Sequence, residues 1–280
     1  MAIAEFKEAL HLLRRMPLLW VPGLIGGLSA AVLWILLNLS GTFFAGRLLI
    51  VSGLLLLLFT TGLLLIIRNN GGDLRALVGG GIRYYFPVLL PQLVIIFAIL
   101  VVFVLIIVTF TLTGSTPDPA LMVILTFCIM IPCLVLTLFF DTAAVFEERK
   151  VFDSIHRSIG LVTTHFSEVI AFIVVSIAVT LGIVFCLMVV WEAFLYDKLE
   201  PITRYTEAQL QAFTPEQLVA IIGPDGMWIT AVIVFLAGFL LIPILYSYKA
   251  CFFKKLAGST VVIQQQMSGE YDSKGRWYKY

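Results

Sequence analysis

The sequence predicts an all-α polytopic transmembrane bundle of about six helices, with short amphipathic interfacial helices on the cytoplasmic side. Three observations carry that prediction. Of 280 residues, 61% are hydrophobic and only 12% charged, where a water-soluble domain has about 45–50% apolar and about 25% charged residues. Six stretches of at least 20 residues contain no Asp, Glu, Lys or Arg, and a helix needs about 20 apolar residues to cross a hydrocarbon core of about 30 Å. These stretches are continuously apolar, as in LLIVSGLLLLLF at 48–59, whereas the strands of a membrane barrel alternate. In lipid only helices and closed barrels satisfy their own backbone, so helices remain. The composition also excludes a disordered chain, a collagen and a small disulfide scaffold.

The first uncharged run, Met16–Gly46, predicts a span at 18–39. It is longer than the apolar region of a cleavable signal peptide, about 7–15 residues, and it follows an amphipathic basic lead-in, EFKEALHLLRRMPLLW at 5–20. The N-terminus is therefore expected to be retained. Ala9, Leu10, Leu12 and Leu13 give the lead-in an apolar stripe, while Gly23, Gly27 and Ala31 form a small-residue series that lets another helix approach closely. The run Leu48–Ile67 predicts the second span, 48–67. A second basic stretch, DLRALVGGGIRYYFPVLL at 73–90, leads into the run Tyr84–Pro117 and a span at 88–113. The fourth run, Pro119–Phe140, predicts a span at 119–141. A third basic stretch, VFDSIHRSIGLVTTHFSEV at 151–169, has Phe152, Ile155, Ile159 and Val162 at helical spacing. It opens onto the run Val169–Trp191 and a span at 169–191; the last run, Gly226–Tyr248, predicts a span at 228–248. The chain thus reads as three repeats of interfacial helix plus transmembrane hairpin within one integral membrane domain, 1–280.

Orientation follows from Lys and Arg. Fifteen of the 18 fall on the side shared by both termini, against Arg47, Lys198 and Arg204 on the other. Positive charge is retained inside, so both termini are expected in the cytoplasm of a cell-membrane protein. The outer connection between Glu192 and Met227 holds two capping boxes, Thr206-x-x-Gln209 and Thr214-x-x-Gln217, the second with Pro215 at the first helical position. Two short helices are expected there, as a cap over a cavity or as a plain surface connection. The tail EYDSKGRWYKY at 270–280 suits a membrane interface, with rings at headgroup level and cations beside phosphates; it equally suits a peptide recognised by a partner.

Chemistry is sparse. Cys128, Cys133, Cys186 and Cys251 form no CxxC, and His11, His156 and His165 do not cluster with them. No HExxH or GxSxG occurs, and Gly79–Gly81 lacks the strand–turn–helix setting of a phosphate loop. No catalytic residue, metal or cofactor is expected, and a net charge of +1 points to no nucleic acid. Ionisable groups inside a membrane are the default functional candidates. The one that stands out is Asp141, which lies in the inner leaflet if its helix continues through Phe146. There it needs a partner such as Arg157, or a proton. Two readings stay open: a proton-coupled or substrate-binding carboxylate, and a buried ion pair. Arg14, Arg15, Arg75, Arg83, Lys150 and Arg157 are placed to meet anionic lipid headgroups, at about 1 kcal/mol each near the surface. The alternative is that they decorate elbow helices that set the entry angle of each hairpin.

The segment Asp141–Phe166, DTAAVFEERKVFDSIHRSIGLVTTHF, resembles a signature of prokaryotic multi-pass proteins related to the membrane domain fused to some glycerophosphodiester phosphodiesterases. In that group a span ends in a short acidic stretch, followed by an aromatic-led amphipathic helix with an Arg-Ser pair and another aromatic-led span. Glu147, Phe152, Arg157-Ser158 and Phe166 occupy those places, and LLRRMPLLWVPGL at 12–24 is similar to the group's start. The chain departs from the pattern where a turn glycine is replaced by Glu148-Arg149-Lys150. No soluble segment is long enough for the catalytic barrel, so the resemblance implies a stand-alone membrane module without phosphodiesterase activity. The expectation is a non-enzymatic module that binds or organises membrane lipids or partner membrane proteins. The alternative is a small-molecule or lipid transporter using Asp141, which requires a cavity beside that residue.

Overall fold

The computed structural model describes residues 2–112, 118–207, 209, 213–267, 269–271 and 277–279. In chain order the helices are α1 (Ala2–Arg15), α2 (Val21–Ser40), α3 (Thr42–Asn69), α4 (Leu74–Leu112), α5 (Pro119–Leu136), α6 (Phe140–Phe146), α7 (Val151–Thr164), α8 (Phe166–Leu199) and α9 (Pro215–Met267). A three-residue antiparallel pair, Gly269–Tyr271 with Trp277–Lys279, follows the last helix. Six helical stretches are long and apolar enough to cross a membrane: Pro17–Leu39, Thr42–Asn69, Leu74–Leu112, Ala120–Phe146, Phe166–Ile202 and Gln217–Gly258. The protein is an all-α, multi-pass membrane protein. Residue 113 of the third predicted span lies outside the described residues. So do 208 and 210–212 of the first predicted outer helix, and 272–276 and 280 of the tail.

Two helix crossings depend on glycine. A Cβ built on Gly27 would sit 2.5 Å from the Phe235 carbonyl oxygen of α9, and one on Gly23 2.4 Å from that of Phe239. Gly238 of α9 faces Gly27 in return, its Cβ position 2.8 Å from the Gly27 Cα. Apolar side chains gain nothing by leaving lipid for one another, so backbone-to-backbone approach at small residues supplies the contact.

The α3–α4 crossing is built the same way. Cβ atoms on Gly62 and Gly81 would lie 2.1 Å from the Leu77 oxygen and 2.4 Å from the Leu58 oxygen. This corrects the three-repeat expectation. The stretch 73–90 is no separate interfacial helix but the first turns of α4, which runs unbroken through Gly79–Gly81. A glycine inside a helix costs about 1 kcal/mol in propensity, and here close packing offsets it. Elbow helices therefore precede two hairpins, as α1 and α7.

Both elbows turn their buried faces toward the bundle. α1 buries Ala2, Glu5, Ala9 and Leu13, and Phe6 meets the Tyr248 ring edge-on at 5.4 Å. Leu10, expected in the apolar stripe, is exposed. On α7 the buried residues are Ser154, Ser158, Leu161 and Val162, while Phe152 is 72% exposed. The core is concentrated at this elbow end, where the rings of Phe139, Phe172, Tyr248 and Phe252 meet in stacked, tilted and edge-on pairs at centroid distances of 4.6–6.2 Å. Farther out, α4, α5 and α8 expose long apolar faces, Phe97, Phe127 and Phe185 among them. Lipid is the solvent for those faces.

The fourth span does not continue straight to Phe146. The α5 ladder ends at Thr137, and α6 restarts at Phe140. The Ser158 hydroxyl of α7 serves both loose ends: it donates to the Leu136 carbonyl at 2.9 Å and accepts from the Phe139 N–H at 2.9 Å. A broken helix at membrane depth persists only where its freed backbone groups are satisfied again.

Candidate functional site

The break re-aims the chain so that Asp141, in the first turn of α6, points into the bundle. Its Oδ1 accepts from the Thr142 backbone N–H at 2.7 Å and from the Thr142 hydroxyl at 3.0 Å. Both carboxylate oxygens lie 2.7 Å from Lys249 Nζ of α9. The pair is well shielded, with side-chain exposures of 8% for Asp141 and 15% for Lys249.

The expected partner, Arg157, is elsewhere. It reaches Glu147 instead, with Nε 3.0 Å from both carboxylate oxygens and Nη2 2.9 Å from Oε1. Asp141 faces into the bundle from α6, whereas Arg157 projects from α7 toward the end of α6, where Glu147 stands. Periodicity along one helix could not show that; the turn between α6 and α7 decides it.

A cavity of about 440 Å³ opens beside the ion pair. Val88, Ile95, Ile96 and Ile99 of α4 and Leu134 and Leu138 form its apolar walls. Gln92, Thr137, Tyr246, Asp141 and Lys249 supply its polar groups. Ile96 and Leu134 are 51% exposed on the outer surfaces of α4 and α5, so the cavity borders lipid between these two helices. An apolar trough ending in a fixed pair of opposite charges is a shape for an amphiphile.

A second polar knot closes the same end of the molecule. Arg68, at the end of α3, donates to the Val145 carbonyl at 2.8 Å, to the Tyr84 hydroxyl at 3.2 Å and to Glu148 at 2.9 Å. The Tyr84 hydroxyl donates to Glu148 at 2.7 Å. Tyr84 and Arg68 together hold the Glu148 carboxyl below its usual range. Glu148 itself has φ +53°, a left-handed conformation that favours glycine. The contacts to Arg68 and Tyr84 hold it there. Lys254 does similar work at the adjacent helix end, donating to the Ile67 carbonyl at 2.7 Å and to Asn70 Oδ1 at 3.0 Å.

The other basic residues read from sequence lie at the same end. Arg14, Arg15, Arg75, Arg83 and Lys150 are exposed. Lys150 and Arg149 flank a cleft of about 380 Å³ whose apolar side is Phe86, Pro87 and Leu90 of α4. Arg157 is held by Glu147 and so differs from the other five. Gly23 and Gly27 stand at the α2–α9 crossing. Among the described residues no group of three His, Cys, Asp or Glu side chains is arranged to hold a metal ion.

Sequence reasoning missed Lys249, Tyr246 and Gln92. A signal for Lys249 did exist. It is the first charge after the run Gly226–Tyr248, as Asp141 is the first after Pro119–Phe140, and both runs end on the same side. Opposite charges at matching depth on two spans are candidates for pairing.

Residues 1–256 match the model of a family described as a domain of unknown function, DUF7847, and the chain belongs to that family. No curated protein and no solved structure matches it.

Proposed function

We propose that this DUF7847 member is a non-enzymatic lipid-handling module of the cell membrane, with both termini in the cytoplasm. In this reading it holds an amphiphile of the inner leaflet in the cavity beside Asp141 and Lys249. The observation that carries it is the joining of that ion pair to an apolar-walled cavity bordering lipid between α4 and α5. The polar part of the ligand would meet Asp141, Lys249 and Gln92, and its chain would lie along Ile95, Ile96 and Ile99. Because the site offers one carboxylate and one ammonium already neutralising each other, a zwitterionic or neutral polar head suits it better than a strongly anionic one. Cytoplasmic placement is supported by the fifteen Lys and Arg on the elbow side. The exposed Arg14, Arg15, Arg75, Arg83 and Lys150 would then lie among inner-leaflet headgroups.

The alternative, a small-molecule or lipid transporter using Asp141 as a proton-coupled or substrate-binding carboxylate, shares this cavity but is less well supported, because the carboxylate has a resident counter-ion 2.7 Å away. The deciding experiment is native mass spectrometry of the full chain released from bilayers of phosphatidylethanolamine and phosphatidylglycerol. Wild type should retain one phosphatidylethanolamine that Ile96→Trp, which fills the cavity mouth, does not. Equal retention by the two proteins would overturn the reading.

A further inference from the structure

The opposite end of the bundle contains a larger cavity, of about 620 Å³, between α2, α8 and α9. Trp34, Asn38, Trp191 and Thr230 line it, and Leu218 and Ile222 roof it. The roof is the first part of α9, which folds over the bundle and then bends at Gly223, where φ is +64°. Lys198 of α8 fastens that bend, donating to the Ile222 carbonyl at 2.8 Å and lying 3.4 Å from Asp225. We propose that this is a second ligand site, independent of the cavity at Asp141, for the glycerol-ester or ether region of an outer-leaflet lipid.

Three features select that chemistry. Among the described residues no charged side chain lines the cavity, so a charged head is disfavoured and an uncharged polar group fits. The Trp34 indole N–H is buried and has no acceptor among the described residues, whereas the N–H of Trp191 donates to the Thr230 hydroxyl at 2.8 Å. A buried donor without a partner is costly, and an ester or ether oxygen entering the cavity would satisfy it. The depth also fits. Trp191 ends one uncharged run and Asn38 lies near the end of α2, which is the interfacial level where indoles meet lipid carbonyls. The volume lies within the range of about 300–1,000 Å³ typical of ligand pockets.

The test uses the full chain in phosphatidylcholine nanodiscs containing a phosphatidylcholine with a diazirine next to one acyl carbonyl. After illumination, labelled peptides are mapped by mass spectrometry. Labelling is expected at the peptides holding Trp34 and residues 218–222. It should fall about two- to tenfold in Trp34→Phe, which keeps an aromatic ring, though a smaller one, and removes the donor. Trp191→Phe, whose N–H is already bonded to Thr230, should lower it less. Leu218→Trp, which fills the cavity from its half-buried edge, should abolish labelling without changing the melting temperature. Equal labelling of wild type, Trp34→Phe and Leu218→Trp would overturn the site, as would labelling confined to the lipid-facing stretch 97–104 of α4.

Discussion

Lys249 Nζ lies 2.7 Å from the carboxylate of Asp141, a residue 108 positions earlier in the chain. The contact ties the last span to the short helix after the break in the fourth. It also supplies both charges of the candidate site, so one pair serves the fold and the cavity together.

Removing one member of the pair should therefore be worse than removing both. Lys249→Met leaves a shielded carboxylate without its counter-ion, which costs about 3–5 kcal/mol. Asp141→Asn combined with Lys249→Met should recover most of that loss. Thermal unfolding of the three proteins in the same detergent measures the difference, and a double variant as unstable as the single one would contradict a pairing role.

Ser158 joins the two ends of the broken fourth span through two hydrogen bonds, to Leu136 and from Phe139. Ser158→Ala should destabilise by about 1–3 kcal/mol, because it leaves buried backbone groups unpaired. Thr163→Ala, on the exposed side of α7, should be close to neutral. Melting temperatures of the two variants distinguish a local hydroxyl effect from a general effect on the helix.

The Glu148 turn predicts a pH dependence. The Tyr84 hydroxyl and the Arg68 guanidinium lower the folded-state value of the Glu148 carboxyl below its ordinary 4.5. Its stabilising contribution is then fully present above the ordinary glutamate value and disappears as pH falls through the lower folded value. Wild type should melt above Glu148→Gln at pH 7, and the gap should close toward pH 3. A gap independent of pH would show that the carboxylate charge is not what matters.

The α2–α9 crossing leaves no room for a side chain at Gly27. Gly27→Leu should disrupt the crossing by at least the about 1–3 kcal/mol of an overpacked core, seen as lost expression or a lowered melting temperature. Gly53→Ala is the control, because nothing lies within 4 Å of a Cβ there, and it should be neutral or slightly stabilising.

The broken span shows why some features were legible and others were not. The run Pro119–Phe140 predicts a helix from composition alone, yet the ladder opens between Leu136 and Phe139, where the hydroxyl of a serine nineteen residues beyond Phe139 takes up the Leu136 carbonyl and the Phe139 N–H. Gly79–Gly81 reads as no more than a glycine run in one dimension, and only the nearness of Leu65 to Gly80 and of Leu58 to Gly81 turns two of the three into a packing surface. Arg157 was the partner expected for Asp141, but the turn after α6 gives it to Glu147.

By itself, then, the sequence determined the solvent and the topology. Lipid imposes one rule on every segment, that about 20 uncharged residues cross as a helix, and a rule that acts locally can be read locally. Only the tertiary structure decided which charges meet, where the cavities open and which glycines are contacts. Those depend on helix rotation and depth, set by side chains that meet from opposite ends of the chain, and a linear pattern does not record such meetings.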